Sequence, residues 1–155
     1  MLRVRAYQPE DARLLTDIFY RSIHQSTGAF YTAAQQEAWA PSPPDYDFFS
    51  YRFSETLPRV AISGTAVAGF IELRANGYID CLYVDPDLQR QGVASQLLAD
   101  AERMASEANL TILETDASYL ARPFFTRHGF ELVRQNQLER RGEVLTNFRM
   151  KKALP

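Results

Sequence analysis

The sequence predicts an α/β (α+β) fold, with a single mixed, mostly antiparallel central sheet flanked by helices on both faces, and residues 1–155 form one domain. Three observations predict it. Residues 58–84 hold the runs "PRVAIS", "AVAGFIELR" and "YIDCLYV", divided only by "GT" and "ANG", as strands joined by tight turns are. Helical periods lie before and after that block, in the order β-α-α-β-β-β-α-β-α-β-β, which implies one mixed sheet with helices packed on its faces. The length of 155 residues suits a single substantial core, and no repeat or low-complexity tract divides it.

"LRVRAY" alternates apolar and charged residues, as a half-buried strand does. "QPEDARLLTDIFYRSIHQS" places Leu14, Leu15, Ile18, Phe19 and Ile23 at helical spacing, and Pro9, Glu10 and Asp11 suit a helix first turn. "AFYTAAQQEAWAP" reads as a short helix stopped by Pro41, followed by the loop "APSPPDYD". After the three strands, "QGVASQLLADAERMASEA" is a helix with Val93, Leu97, Ala101, Met104 and Ala108 on one face. "LTILETDAS" is an apolar strand. "YLARPFFTRHG" is a short helix ending at Gly129, and residues 130–152 form a hairpin turning near Arg141-Gly142.

Composition excludes several classes. A net charge of −2 and a pI near 5.7 give no global attraction to nucleic acid or to an anionic membrane. No apolar stretch approaches the roughly 20 residues that span a bilayer. Cys81 is the single cysteine, so neither an intramolecular disulfide nor a cysteine metal cage can form, and His24 and His128 lack metal-ligand spacing. With no signal-like apolar run at the N-terminus, the expectation is a cytoplasmic protein without a metal.

One turn carries chemistry. Between "LYVDP" and the helix lie Gln89, Arg90, Gln91, Gly92, Val93 and Ala94. The first amides of a helix have no intrahelical partner and sit at the positive end of its dipole, so a phosphate can accept from several at once. Gly92 has no Cβ to keep a ligand away, Ala94 has only a methyl group, and Arg90 can add charge at the rim. The other reading is that Gly92 merely eases a strand-to-helix turn. Neither GxxxxGK[ST] nor GxGxxG is present.

These residues resemble the signature Q/R-x-x-G-x-G/A of the GCN5-related N-acetyltransferase family, entered from a strand ending in a V-x-P turn. "ARPFFTRHGFELV", Ala121 to Val133, is similar to that family's A-x-x-F-Y-x-x-x-G-F segment, and the element order agrees over essentially the whole chain. The resemblance implies acetyl-CoA as co-substrate, with its pyrophosphate on Gln89, Arg90, Gln91, Gly92, Val93 and Ala94 and a hydroxyl from Ser95. It implies that the pantetheine arm pairs with the backbone of Leu82, Tyr83 and Val84. It also implies that the strands after Val84 and before "TDAS" splay apart.

The implied reaction is direct acetyl transfer to a primary amine of a small molecule or peptide by a monomer or homodimer, with no nucleic-acid or membrane partner. An alkyl amine titrates near pH 10.4, so a base or a desolvated site must supply its neutral form. Glu72 on "GFIELR" occupies a position where family members place a base, and Asp80 on "YIDCLYV" competes. Strand alternation sets the two on opposite faces unless a bulge or an odd turn intervenes. The family's thiolate-protonating tyrosine falls at position 125, where this chain has Phe125, counted here with the cofactor contacts; Tyr119 is the candidate replacement. Ser118 replaces a common asparagine. Tyr31, Trp39, Tyr46 and Phe48 fall where family members cover the acceptor, and Tyr31 and Trp39 are candidates to hold the amine by cation–π contact. Cys81 reads as a buried thiol and "ERRGE" as a charged hairpin tip. The rival functions are a non-catalytic acyl-CoA sensor and an interaction module on the same fold.

Overall fold

The computed structural model describes all 155 residues, Met1–Pro155. Its strands are β1 (Leu2–Ala6), β2 (Arg59–Ser63), β3 (Ala66–Leu73), β4 (Tyr78–Val84), β5 (Ile112–Ala117), β6 (Glu131–Arg140) and β7 (Glu143–Ala153). Its helices are α1 (Ala12–Ser26), α2 (Ala33–Trp39), α3 (Tyr46–Thr56), α4 (Val93–Glu107) and α5 (Arg122–Arg127). The strands form one seven-stranded sheet in the order β1-β2-β3-β4-β5-β7-β6. Every pair is antiparallel except β4 with β5, so the sheet is mixed and mostly antiparallel.

Each face of the sheet buries its own helices. On one face α4 sets Val93, Leu97, Leu98, Ala101 and Ala105 against Ala61, Ala68, Ile71, Ile79, Leu113 and Met150. Steps of four residues carry this seam, whereas Met104 is 38% exposed and Ala108 is exposed, which corrects two members of the expected face. On the other face α1 and α3 set Leu15, Ile18 and Phe53 against Val60, Ile62, Phe70 and Cys81. Leu14 points to solvent at 51% exposure. Arg5 on β1 grips Asp11, at the start of α1, through two bonds of 2.8 and 2.9 Å, fixing that helix to the sheet.

Helix α3 is the element the sequence pattern does not announce. Its apolar residues are nearly all aromatic, a class that serves strands as readily as helices, and it follows a proline-rich loop. It starts because the Asp45 side chain accepts the Phe48 amide at 3.0 Å, and it ends where Leu57 turns left-handed at φ +50°.

Two irregularities position the site. Glu72 pairs with Cys81 and Leu73 with Ile79, so Asp80 has no partner on β3 and forms a β-bulge. Ile79 and Cys81, two residues apart, therefore enter the cores on opposite faces. Across the sheet, β4 pairs with β5 only at Tyr78–Glu114 and Ile79–Thr115. Beyond those pairs the strands part, as the family resemblance implies.

Candidate active site

The parting of β4 and β5 opens two clefts. One, of about 700 Å³, runs past Leu82, Tyr83, Val84, the turn before α4, Ala117 and α5. The other, of about 620 Å³, lies under α2, α3 and the β6–β7 hairpin. Trp39, Asp80, Tyr83, Asp116 and Ser118 line both, so the clefts meet at the opening in the sheet.

The first cleft gathers free backbone donors and positive charge. Gly92 caps α4 at φ +81°, and Arg90 also turns left-handed at φ +63°. A Cβ built on Gly92 would meet no protein atom within 4 Å, so the glycine answers to its backbone angle, and its open side is free for a ligand. The first helical bond runs from the Gln96 amide to the Gly92 carbonyl at 3.0 Å, which leaves the Val93, Ala94 and Ser95 amides without helical acceptors. Arg90 and Arg127 line this cleft and take part in no ion pair with a protein carboxylate, so they add positive charge to that of the helix end. The Ser95 hydroxyl lies 3.1 Å from His128 Nε2.

The cleft wall beyond the turn is an open strand edge. The Asp85 amide donates to the Ala68 carbonyl on β3, so alternation turns the backbone groups of Val84 and Leu82 toward the gap. The Val84 carbonyl already accepts from the Ser22 hydroxyl at 3.0 Å and from Gln89 Nε2 at 3.2 Å, which leaves Leu82 as the freer edge. Gly69 on β3 is needed behind this edge, because a Cβ there would lie 2.6 Å from the Tyr83 carbonyl.

At the junction Asp80 is held by Arg74 at 2.5 Å and by Arg52 at 3.2 Å. Asp116 accepts from Arg149 Nε and Nη2 at 2.9 Å each, from Asn136 at 2.9 Å and from the Tyr78 hydroxyl at 2.7 Å. Burial by itself would raise the Asp116 carboxyl, but Arg149 and the Tyr78 hydroxyl outweigh it and hold the group below its usual range. Burial, with the neighbouring Cys81, pushes the Tyr83 phenol well above its ordinary value, so it keeps its proton at neutral pH. Burial and Glu72 likewise push the Cys81 thiol up.

Most of the expected cofactor residues converge. Leu82, Tyr83, Val84, Gln89, Arg90, Gly92, Val93, Ala94, Ser95 and Phe125 all line the first cleft. Gln91 does not, and its side chain is exposed. Phe125 is 3% exposed and packs edge-on against Phe124 and Phe130. Tyr31 and Trp39 line the second cleft and pack edge to face, with ring centroids 5.2 Å apart. The Tyr31 hydroxyl is engaged, donating to the Thr146 carbonyl at 2.7 Å and accepting from the Tyr119 amide at 3.2 Å, so this ring serves as wall and brace.

Two candidates for catalysis reach neither cleft. Glu72 is fully buried, with its carboxylate taken by Arg52 at 2.6 Å and by the Thr56 hydroxyl at 2.6 Å. The Asp80 bulge brings the two carboxylates onto the same arginine, with Glu72 beneath and Asp80 at the cleft surface. Tyr119 stacks on Phe30 at 5.7 Å and packs edge-on against Phe148 at 5.0 Å, away from the opening. The Ser118 hydroxyl accepts the Ala121 amide at 3.1 Å in the turn that leads into α5.

Sequence reasoning missed Arg52, the Tyr83 side chain and Asp116. Asp116 left a signal, as an acid alternating with inward Leu113, Thr115 and Ala117 on an otherwise apolar strand. Arg52 left none, because its helix is not legible.

Compared with known proteins, residues 29–152 match the acetyltransferase (GNAT) domain family model. The chain is 39% identical over 150 residues to "Uncharacterized N-acetyltransferase YafP" of Escherichia coli K12, covering 97% of this chain and 95% of that protein. The crystal structure of the GCN5-related N-acetyltransferase "Aminotransferase, Class-II" from Rhodopseudomonas palustris superposes with a TM-score of 0.93 at 37% identity, covering 98% of this chain and 95% of that one. The PaiA N-acetyltransferase of Thermoplasma acidophilum, crystallised with coenzyme A, shares the fold at a TM-score of 0.79 and 18% identity, covering 99% of each chain.

Proposed function

Given that the chain belongs to the GCN5-related N-acetyltransferase (GNAT) family, and so to the acetyl-CoA-dependent acyltransferases, we propose that it moves an acetyl group from acetyl-CoA in the first cleft directly to a primary amine in the second. The observation that carries this reading is the junction, where Asp80, Tyr83 and Asp116 stand on the walls of both clefts.

The phosphates of CoA rest on the amides of Val93, Ala94 and Ser95 beside Arg90 and Arg127, and the pantetheine arm lies along Leu82. That the Thermoplasma structure of the same fold was crystallised with coenzyme A supports CoA as the ligand class. The amine enters past Trp39 and Tyr31, where aromatic walls and loss of water favour its neutral form. Asp80 accepts the ammonium proton, directly or through one water, while Arg52 and Arg74 fix its orientation. The amine nitrogen then attacks the thioester carbonyl, and the carbon–sulfur bond breaks. Tyr83 gives a proton to the departing thiolate, taking the role that Phe125 cannot fill; its phenolate recovers a proton from the amide nitrogen, and the proton held on Asp80 leaves to water. Cys81 carries no acyl group on this route, because its thiol is buried and held protonated.

The test is the thermal midpoint with acetyl-CoA, CoA, ADP and NAD, followed by amine-dependent CoA release. A ligand at 100 times its dissociation constant stabilises by about 2.7 kcal/mol. The expected result is a shift with both CoA species, a weak one with ADP and none with NAD, then CoA release with a subset of amines. The hydroxyl-free Phe125 favours a second reading, an acyl-CoA sensor, which predicts the same shifts and no CoA release with any amine. No shift at all points to an interaction module.

A further inference from the structure

Building on the transfer reading above, we propose that the acceptor carries an anionic group, carboxylate or phosphate, set well away from its reactive amine. Arg140 and Arg141 hold that group at the far end of the acceptor cleft.

Six charged side chains line this cleft: Asp45, Arg52, Asp80, Asp116, Arg140 and Arg141. Four have protein partners that satisfy them. Asp45 caps α3, Asp80 lies between Arg52 and Arg74, Asp116 is clamped by Arg149, and Arg52 is held by the buried Glu72. Arg140 and Arg141 pair with no carboxylate. The Arg141 Nη1 donates to the Ala38 carbonyl at 2.6 Å, which ties the exposed hairpin tip to the end of α2 and sets Arg140 and Arg141 on the rim of the cleft. Left-handed angles at Arg141 (φ +48°) and Gly142 (φ +83°) form the turn that presents both arginines. Two guanidiniums whose charge no carboxylate neutralises, side by side on a cleft wall, suit a planar carboxylate or a phosphate. The cofactor cleft shows the same arrangement in Arg90 and Arg127.

The sheet register sets the spacing. Asp116 lies opposite Arg149 and Arg140 lies opposite Glu143, so the two ends are six β7 residues apart, about 20 Å at the usual rise. Leu145, Thr146 and Asn147 line the cleft between them. An arginine side chain reaching back shortens this span without closing it. A free α-amino acid, whose amine and carboxylate share one carbon, cannot meet both ends, whereas a short peptide or an ω-aminoalkyl acid can.

The experiment uses matched acceptors long enough for the span: penta-alanine and its C-terminal amide, 12-aminododecanoate and its amide, 12-aminododecyl phosphate and 12-aminododecanol, with glycine as the short acid. Two readouts are taken, CoA release and the thermal shift each acceptor adds to the CoA complex. Wild type is expected to prefer each long anionic acceptor over its neutral match by about ten- to a hundredfold in kcat/KM, with glycine poor. The carboxylate and phosphate pairs separate the two anion sources. In the Arg140→Gln, Arg141→Gln double variant the preference should fall to near one, while a retained CoA-induced shift shows that the fold is intact. Equal use and equal shifts for acid and amide in wild type overturn the clamp and leave the transfer reading standing. Loss of the CoA-induced shift in wild type overturns both.

Discussion

At Gly92 one backbone angle and one missing Cβ serve the same site. The φ of +81° disfavours any L side chain, and the open space beside the residue faces the cofactor cleft. Gly92→Asp should cost the fold on the order of 1 kcal/mol and abolish the CoA-induced thermal shift, because its carboxylate would stand at the helix end where the phosphates are proposed to rest. Tyr83 is a protonated phenol on the wall of both clefts. Tyr83→Phe should lower kcat toward the low end of the about 10²–10⁴-fold typical of a general acid, since a thiolate leaves readily, with CoA affinity retained. Glu72 is the contrasting residue, a carboxylate whose work is to hold Arg52. Glu72→Gln should lower unfolding free energy by about 1–3 kcal/mol in urea and leave the shape of the pH–rate profile as in wild type. A lost acid limb in that variant would return the base role to Glu72.

Among the elements, α3 and the β4 bulge decide the acceptor side. Helix α3 anchors itself by Phe53, fully buried against Phe70 at 5.3 Å and Tyr7 at 6.1 Å, and this places Arg52 and Phe48 on the cleft wall. Phe53→Ala should cost about 3–5 kcal/mol in chemical unfolding, with part of that loss appearing as a weaker acceptor response because the wall moves. The bulge at Asp80 does what regular alternation forbids, since it places Ile79 in the α4 core and Cys81 in the opposite core while Asp80 stays at the opening. A pattern of alternating residues does not disclose which one lacks a partner on the next strand, so "YIDCLYV" shows a strand and conceals its bulge.

For the molecule as a whole, charge pairs fasten helices and strands to one another. Arg5–Asp11 fixes α1 to β1, Arg59–Asp100 fixes β2 to α4, and Arg149–Asp116 joins β7 to β5. Burial raises each of these three carboxyl groups, and the arginine partners more than reverse it, so all lie below their ordinary value of 3.8. A lowered folded pKa contributes stability that is complete above the ordinary value and is lost as the pH falls through the folded one. The thermal midpoint should therefore hold from neutral pH to about pH 5 and drop steeply below about pH 4, the loss being smaller in Asp100→Asn. A midpoint that stays level to pH 3 would show that these pairs do not stabilise the fold.

The sequence by itself determined the class of sheet, eleven of the twelve strands and helices that build it, and the turn before α4 that carries the family signature at Gln89–Ala94. Those features are local: a period of 2 or 3.6, a glycine at a helix start, a proline after a strand. What only the tertiary structure decided is which polar groups share a space. Arg52 reaches Glu72 and Asp80 across twenty or more residues, Asp116 meets Asp80 because β4 and β5 stop pairing, and the hairpin arginines cover a cleft formed by helices a hundred residues earlier. Contacts of that range follow from the register and parting of strands, and neither leaves a period along the chain.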